Sequence, residues 1–177
     1  MTKQYILITF LLTMLVLPSN SSAQNNIPIQ TKEKSSFIPI TEEDLKNATY
    51  NDINYGIITL ENGKIDIGDS VGHNVDLRFY ALGDLDNDGN KDAACILFSY
   101  QGGNGAAQTL CALLNDHGKP KIVASKGINT NVDSLSIVDG VIIIRTLIYE
   151  KGDPMCCPSK NENWRFVLDG KELKKKK

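Results

Sequence analysis

Asp76-Leu77-Arg78-Phe79-Tyr80-Ala81-Leu82 runs directly into Gly83-Asp84-Leu85-Asp86-Asn87-Asp88-Gly89-Asn90-Lys91-Asp92. In the first stretch Leu77, Phe79 and Ala81 alternate with Asp76, Arg78 and Tyr80. That is the period of a strand whose successive side chains point to opposite sides, so it predicts a half-buried β-strand with one face in the core and one in water. The second stretch is too polar and too rich in turn formers to continue it.

The same grammar extends outward in both directions, with strand candidates separated by turn residues about every eight to twelve positions. They are residues 55–60, 64–67, 92–100, 107–115, 121–125, 134–138, 141–149 and 164–168. The run from Val141 to Tyr149 is the most apolar and β-branched, and is therefore expected to be central and covered on both faces. Glu61-Asn62-Gly63, Asp139-Gly140 and Asp169-Gly170 are hairpin-type turns, and no crossover helix separates the strands. Near the start, Thr41-Glu42-Glu43-Asp44 reads as a capping box in front of a short helix ending about Asn47. The expected fold is mainly β: an antiparallel β-sandwich or partly open barrel with one short N-terminal helix.

Ahead of this region the chain changes character. Lys3, the apolar run Tyr5 to Leu17 of about 13 residues, Pro18 and the small residues Ser21-Ser22-Ala23 follow the plan of a secretory signal peptide. Residues 1–23 are expected to be cleaved after Ala23. Residues 24–37 read as a flexible polar leader, and 38–177 as a single β-rich domain. The apolar run is shorter than the ~20 residues a membrane-spanning helix needs, and no other segment qualifies. The expected setting is therefore exported, periplasmic or secreted. The formal net charge is -2 at pH 7. With no broad basic face, the chain lacks the electrostatic footprint of a nucleic-acid binder. Lys174 to Lys177 read as a solvated, frayed end.

The acidic stretch fits D-x-D-x-D-G-x-x-D. Calcium is a hard cation that takes six to eight oxygens, and carboxylates at alternate positions of a tight loop converge on one point. Asp84, Asp86 and Asp88 supply the first three side chains. Gly89 permits the reversal, the Asn90 carbonyl adds a main-chain oxygen and Asp92 closes the site. Calcium is thus the expected cofactor, in a structural role. The alternative is a solvated Asp/Asn/Gly turn with no ion. The loop is not an EF-hand, since its twelfth position is Cys95 and strands flank it. "GDLDNDGNKD" after an aromatic strand resembles the calcium loop of FG-GAP or integrin-type repeats, over about a dozen residues. Those families' propeller is not implied, because the loop occurs once. From this loop to "GDPMCCPS" the chain also resembles small bacterial exported proteins and lipoproteins, which implies an extracytoplasmic setting and no particular activity.

Four cysteines in an exported chain are disulfide candidates. If 92–100 and 107–115 form a hairpin, Cys95 and Cys111 face each other and are favoured as a pair, leaving Cys156 with Cys157. The segment Gly152 to Ser159, carrying Asp153, Pro154, Met155 and Pro158, is a candidate partner-binding loop stiffened by its prolines. His73 and His117 stand in polar loops without catalytic partners, and no nucleophile, zinc or phosphate-loop motif occurs. The expectation is a calcium-binding module with a binding or envelope-interaction role, toward a protein or envelope component, and not an enzyme. The alternative is a periplasmic inhibitor of an envelope or cell-wall enzyme.

Overall fold

The computed structural model describes residues 37–68, 72–102 and 106–176. The expected signal peptide and nearly all of the leader lie outside the described residues. One helix, α1 (Glu42–Lys46), precedes eleven strands: β1 (Thr49–Asp52), β2 (Gly56–Thr59), β3 (Lys64–Asp66), β4 (Asn74–Gly83), β5 (Asp92–Tyr100), β6 (Ala106–Asp116), β7 (Lys119–Ile128), β8 (Asn131–Val138), β9 (Val141–Ile148), β10 (Lys160–Asp169) and β11 (Glu172–Lys176). The fold is mainly β and every strand pairing is antiparallel, as the short turns require. Asn62-Gly63, His117-Gly118 and Asp139-Gly140 all have positive φ at both residues, the conformation that matches the twist of a two-residue hairpin turn.

A five-stranded sheet, β3-β4-β5-β6-β7, forms the middle layer. One of its faces is covered by α1 and the β1–β2 hairpin, the other by the four-stranded sheet β11-β10-β9-β8. Each interface has its own core. Leu45, Tyr50, Ile58 and Leu60 meet Cys95, Leu97, Cys111 and Leu113 on the first side. On the second, Ile142, Ile144 and Phe166 meet Ile96 and Leu110. Burying each such side chain stabilises the fold by about 1.5–3 kcal/mol. Both edges of the four-stranded sheet, β8 and β11, approach the larger sheet, at β4 and β7, so the pair curls toward a barrel. At the β4 side this needs Gly83, where a Cβ would lie 2.5 Å from Ile137 Cγ2.

Several expectations are corrected here. The alternation of residues 76–82 does not mark a single half-buried face. A bulge at Arg78 shifts the register so that Leu77 pairs with Leu97 but Phe79 with Ile96. Leu77 and Leu82 therefore pack toward the helix side while Phe79 packs toward the second sheet. A bulge adds one residue and so turns the following side chains to the other face. Both faces of β4 consequently meet core. The strands buried on both faces are β5 and β6; β9 is central in its own sheet, but only Ile142, Ile144 and Thr146 are fully buried while Arg145 is exposed. Lys174–Lys176 are not frayed either: they lie in β11, paired along β10, because Leu173 anchors the strand in the core, and Lys177 falls outside the described residues.

The capping box forms as expected, with the Asp44 amide donating to Thr41 Oγ1 (3.2 Å) and the Thr41 amide to Asp44 Oδ2 (2.8 Å). β1 went unanticipated, and it carries a buried carboxylate. Asp52 is 2% exposed. Its Oδ1 accepts from the amides of Asn54 (2.9 Å) and Tyr55 (3.1 Å), and its Oδ2 from Ser99 Oγ (2.5 Å) and Thr109 Oγ1 (3.0 Å). Thr109 Oγ1 also accepts from the Ile53 amide at 3.1 Å. One side chain thus closes the β1–β2 turn and bolts that hairpin onto β5 and β6.

Candidate metal centre

The loop joining β4 to β5 is held at three points. Leu85 is buried in the core between the two large sheets. Asp92, at the start of β5 and 1% exposed, accepts from the Leu85 amide (Oδ2, 2.8 Å) and the Asn115 amide (Oδ1, 2.9 Å). The β8–β9 turn lies behind the loop, so close that a Cβ on Gly140 would sit 3.5 Å from the Asp84 carbonyl oxygen. Anchored in this way, residues 86–89 project into solvent.

The backbone between the anchors is shaped by its own carboxylates. Asp84 accepts from the amides of Asn87 (2.7 Å) and Gly89 (2.9 Å), Asp86 from that of Asp88 (3.1 Å), and Asp88 from that of Asn90 (2.7 Å). These are the side-chain-to-backbone turns that Asp forms two or more residues ahead. They bend the chain through left-handed conformations at Asn87 (φ 63°) and Gly89 (φ 88°). Gly89 adopts this without the steric penalty a Cβ brings.

The result gathers Asp84, Asp86 and Asp88, each offering an oxygen within 4.8 Å of the others. This triad could hold a metal ion. Asp84 is half-buried, while Asp86 and Asp88 are exposed. Asp92 stands outside the group. It is buried, and its two oxygens each accept a backbone amide, so it fastens the base of the loop. Burial raises its pKa, the two amides oppose that shift, and the negative charges of Asp86 and Asp88 add to it. Asn90 directs its side-chain amide to Asp88 Oδ2 (2.7 Å), and this bond, with that from its main-chain amide, holds the Asp88 carboxyl below its ordinary range.

The cysteines divide into two pairs. Cys95 and Cys111 are directly opposite in the β5–β6 register, as the hairpin predicts, but the favoured bridge is not formed and both are free thiols. Each has its own partner from β1: Tyr50 donates its hydroxyl to Cys95 Sγ at 3.7 Å, and the Asn51 backbone bonds Cys111. Burial pushes Cys95 up to about 12 and Cys111 well above its ordinary value, so neither offers the thiolate that reactive thiol chemistry requires. Cys156 and Cys157 are bonded to each other.

That bridge sits in a loop organised by Asp153, whose Oδ2 accepts from the Glu150 amide (2.8 Å), the Ser159 amide (2.9 Å) and Ser159 Oγ (3.0 Å). Tyr149 donates its hydroxyl to the Met155 carbonyl at 2.6 Å. Pro154 and Met155 are exposed, the latter at 95%, and Pro158 is half-buried. His117 is an exposed turn residue beside Asp116, and Arg145 pairs with Asp133 at 3.2 Å. No helix among the described residues is long and apolar enough to cross a membrane. Comparison of the chain with family models, with curated proteins and with solved structures returned no match.

Proposed function

We propose that this is an exported β module whose acidic loop takes one calcium ion, and that the ion stiffens the loop for a binding or envelope-interaction role. The convergence of Asp84, Asp86 and Asp88 within 4.8 Å carries this reading. Three carboxylates so close repel one another, and a divalent cation relieves that repulsion. An ionised carboxylate has about four lone-pair sites. The turn bonds to Asp84, Asp86 and Asp88 use only one or two of these each, which leaves lone pairs for a hard cation. Water and main-chain carbonyls complete the six to eight ligands calcium takes, and the loop's exposure suits that mixture better than magnesium's strict octahedron.

Calorimetric titration of the metal-stripped protein tests this. One calcium is expected per chain, bound more tightly than magnesium, with the heat abolished in an Asp86→Ala, Asp88→Ala double variant. Absence of heat from the unmodified protein would make the loop a solvated turn. Export is tested by sequencing the N-terminus of protein recovered outside the cytoplasm, which should begin at Gln24.

A second reading is favoured by the loop 152–159: a periplasmic inhibitor whose Met155 enters an enzyme cleft. Asp153 fixes the loop from inside while Met155 stands almost wholly in solvent, an arrangement that presents an apolar anchor without much entropy to lose on binding. Met155→Glu should then abolish inhibition of an envelope or cell-wall hydrolase by the protein. Unchanged inhibition would dismiss the loop.

A further inference from the structure

The inter-sheet core stops before the strands do. On the face of β6 that meets the four-stranded sheet, Ala112 and Leu110 are buried, and beyond them come Gln108 and Ala106. Across the pairing, Phe98 lies opposite Gln108 and Tyr100 opposite Ala106. An amide and a methyl replace the large apolar groups needed to continue the packing. A cleft of about 520 Å³ opens there, walled by this end of β5 and β6, the β7–β8 connection and the end of β9. Its size falls within the range of small-ligand sites, and the mouth of a β-barrel-like fold is a common place for one. It lies at the opposite end of β5 from the acidic loop and requires no ion there.

The lining sets the chemistry. None of the described residues lining the cleft is charged, although the Arg78 guanidinium lies over the ring of Phe98, 5.6 Å from its centroid. A phosphate, carboxylate or ammonium would find no charged side chain among these lining residues to pair with, whereas a neutral polar ligand needs none. Phe98, Tyr100 and Tyr149 supply aromatic rings, while Asn129, Thr130 and Gln108 supply amides and a hydroxyl that both donate and accept. Gln108 Oε1 is shielded from solvent and has no hydrogen-bond partner. Buried acceptors are seldom left so, and Gln108 gains a partner by turning its amide toward the cleft to meet a ligand hydroxyl. Peptide capture by strand addition would need an unpaired sheet edge. β5, β6 and β9 are each paired on both sides, and among the described residues of the edge strands only Asn131, the first residue of β8, lines the cleft, too short a stretch of open edge for a strand to add to.

We propose that this cleft binds a short neutral oligosaccharide, whose C–H faces pack on the tyrosine rings and whose hydroxyls bond the amides. The test is a two-dimensional NMR titration of the purified protein with maltotriose, cellotriose and chitotriose, and separately with a phosphorylated sugar and with triglycine. At least one neutral trisaccharide should give saturable shifts centred on the amides of residues 98–100, 106–108, 129–131 and 147–149 at or below about 10 mM, the weak-binding range. Tyr149→Ala, at a half-exposed position, should weaken binding roughly tenfold, while Tyr149→Phe, which loses only the hydroxyl that bonds the Met155 carbonyl, should bind like the unmodified protein. Gln108→Leu removes the unpartnered acceptor, so it should fold at least as well and still bind more weakly. The proposal is overturned if none of the three saccharides saturates, if the shifts map elsewhere, if triglycine or the phosphorylated sugar binds the cleft as well, or if Tyr149→Ala binds like the unmodified protein.

Discussion

Asp52 and the Asp84–Asp86–Asp88 loop use the same side chain to opposite ends. Asp52 is buried, and four donors from three segments occupy its two oxygens. Its bonding capacity is used up by the protein, and what it does is hold the β1–β2 hairpin to the central sheet. The loop aspartates lie at the surface, accept only one or two bonds each from their own turn, and face one another. Asp92 stands between the two cases: it belongs to the acidic motif by sequence and, like Asp84, accepts one backbone amide on each oxygen, yet it is buried and one of its donors comes from the neighbouring strand. The comparison teaches that burial and the origin of the donors, distant strands or the residue's own turn, separate a structural carboxylate from one available to an ion.

Substitution can break or sharpen that contrast. The largest effect is expected from Asp52→Ala, which leaves two buried hydroxyls and two amides without their acceptor; the cost should be about 3 kcal/mol or more, a fall of roughly 6–12 °C in Tm. A Tm within a degree of the unmodified protein would contradict the bolting role. Next is Asp92→Asn, which turns an N–H toward an amide that now donates to a carboxylate. It should cost about 1–3 kcal/mol in denaturant unfolding, with or without calcium. Were Asp92 a ligand instead, its loss would appear mainly as a loss of calcium affinity.

Smaller still, the Asp86→Ala, Asp88→Ala double variant should unfold within about 0.5 kcal/mol of the unmodified protein in chelator, since both side chains are exposed. The smallest effect concerns pH. The amides of Glu150 and Ser159 hold the Asp153 carboxyl below its ordinary value. A lowered native pKa stabilises the native loop above the unfolded value of about 3.9, and that contribution is lost as pH falls through the native value. The protection of the amides in residues 150–159, measured against the intrinsic exchange rate at each pH, should therefore fall as the pH drops below about 4, while that in β5 and β6 stays high.

Much of the architecture was legible in the residues. Turn pairs such as Asn62-Gly63 and Asp139-Gly140 mark hairpins because few residues tolerate their backbone, and Thr41 with Asp44 marks a helix start through its reciprocal bonds. The convergence of Asp84, Asp86 and Asp88 follows equally locally, from turns two or three residues long. What escaped was set by distant partners. The bulge at Arg78 cannot be read from an alternation that looks unbroken, because it depends on the register against β5. Double burial of β5 and β6 depends on α1 and β1–β2 folding over them, and so does the role of Asp52, whose partners lie about fifty residues away in the chain. The spacing of Asp92 fits a closing ligand and says nothing of its fastening role. Its amide partner at Asn115 comes from a neighbouring strand and is invisible in the motif.

The most direct test is the thermal melt of the unmodified protein and of the Asp86→Ala, Asp88→Ala double variant, each in EDTA and in millimolar calcium. With calcium at about 100 times its Kd, binding to the native state adds about 2.7 kcal/mol. The melting temperature of the unmodified protein should therefore rise by roughly 5–10 °C, and that of the variant should not move. Superimposed curves for the unmodified protein would contradict the account, leaving the loop aspartates as turn formers whose capacity, like that of Asp52, is met by the protein alone.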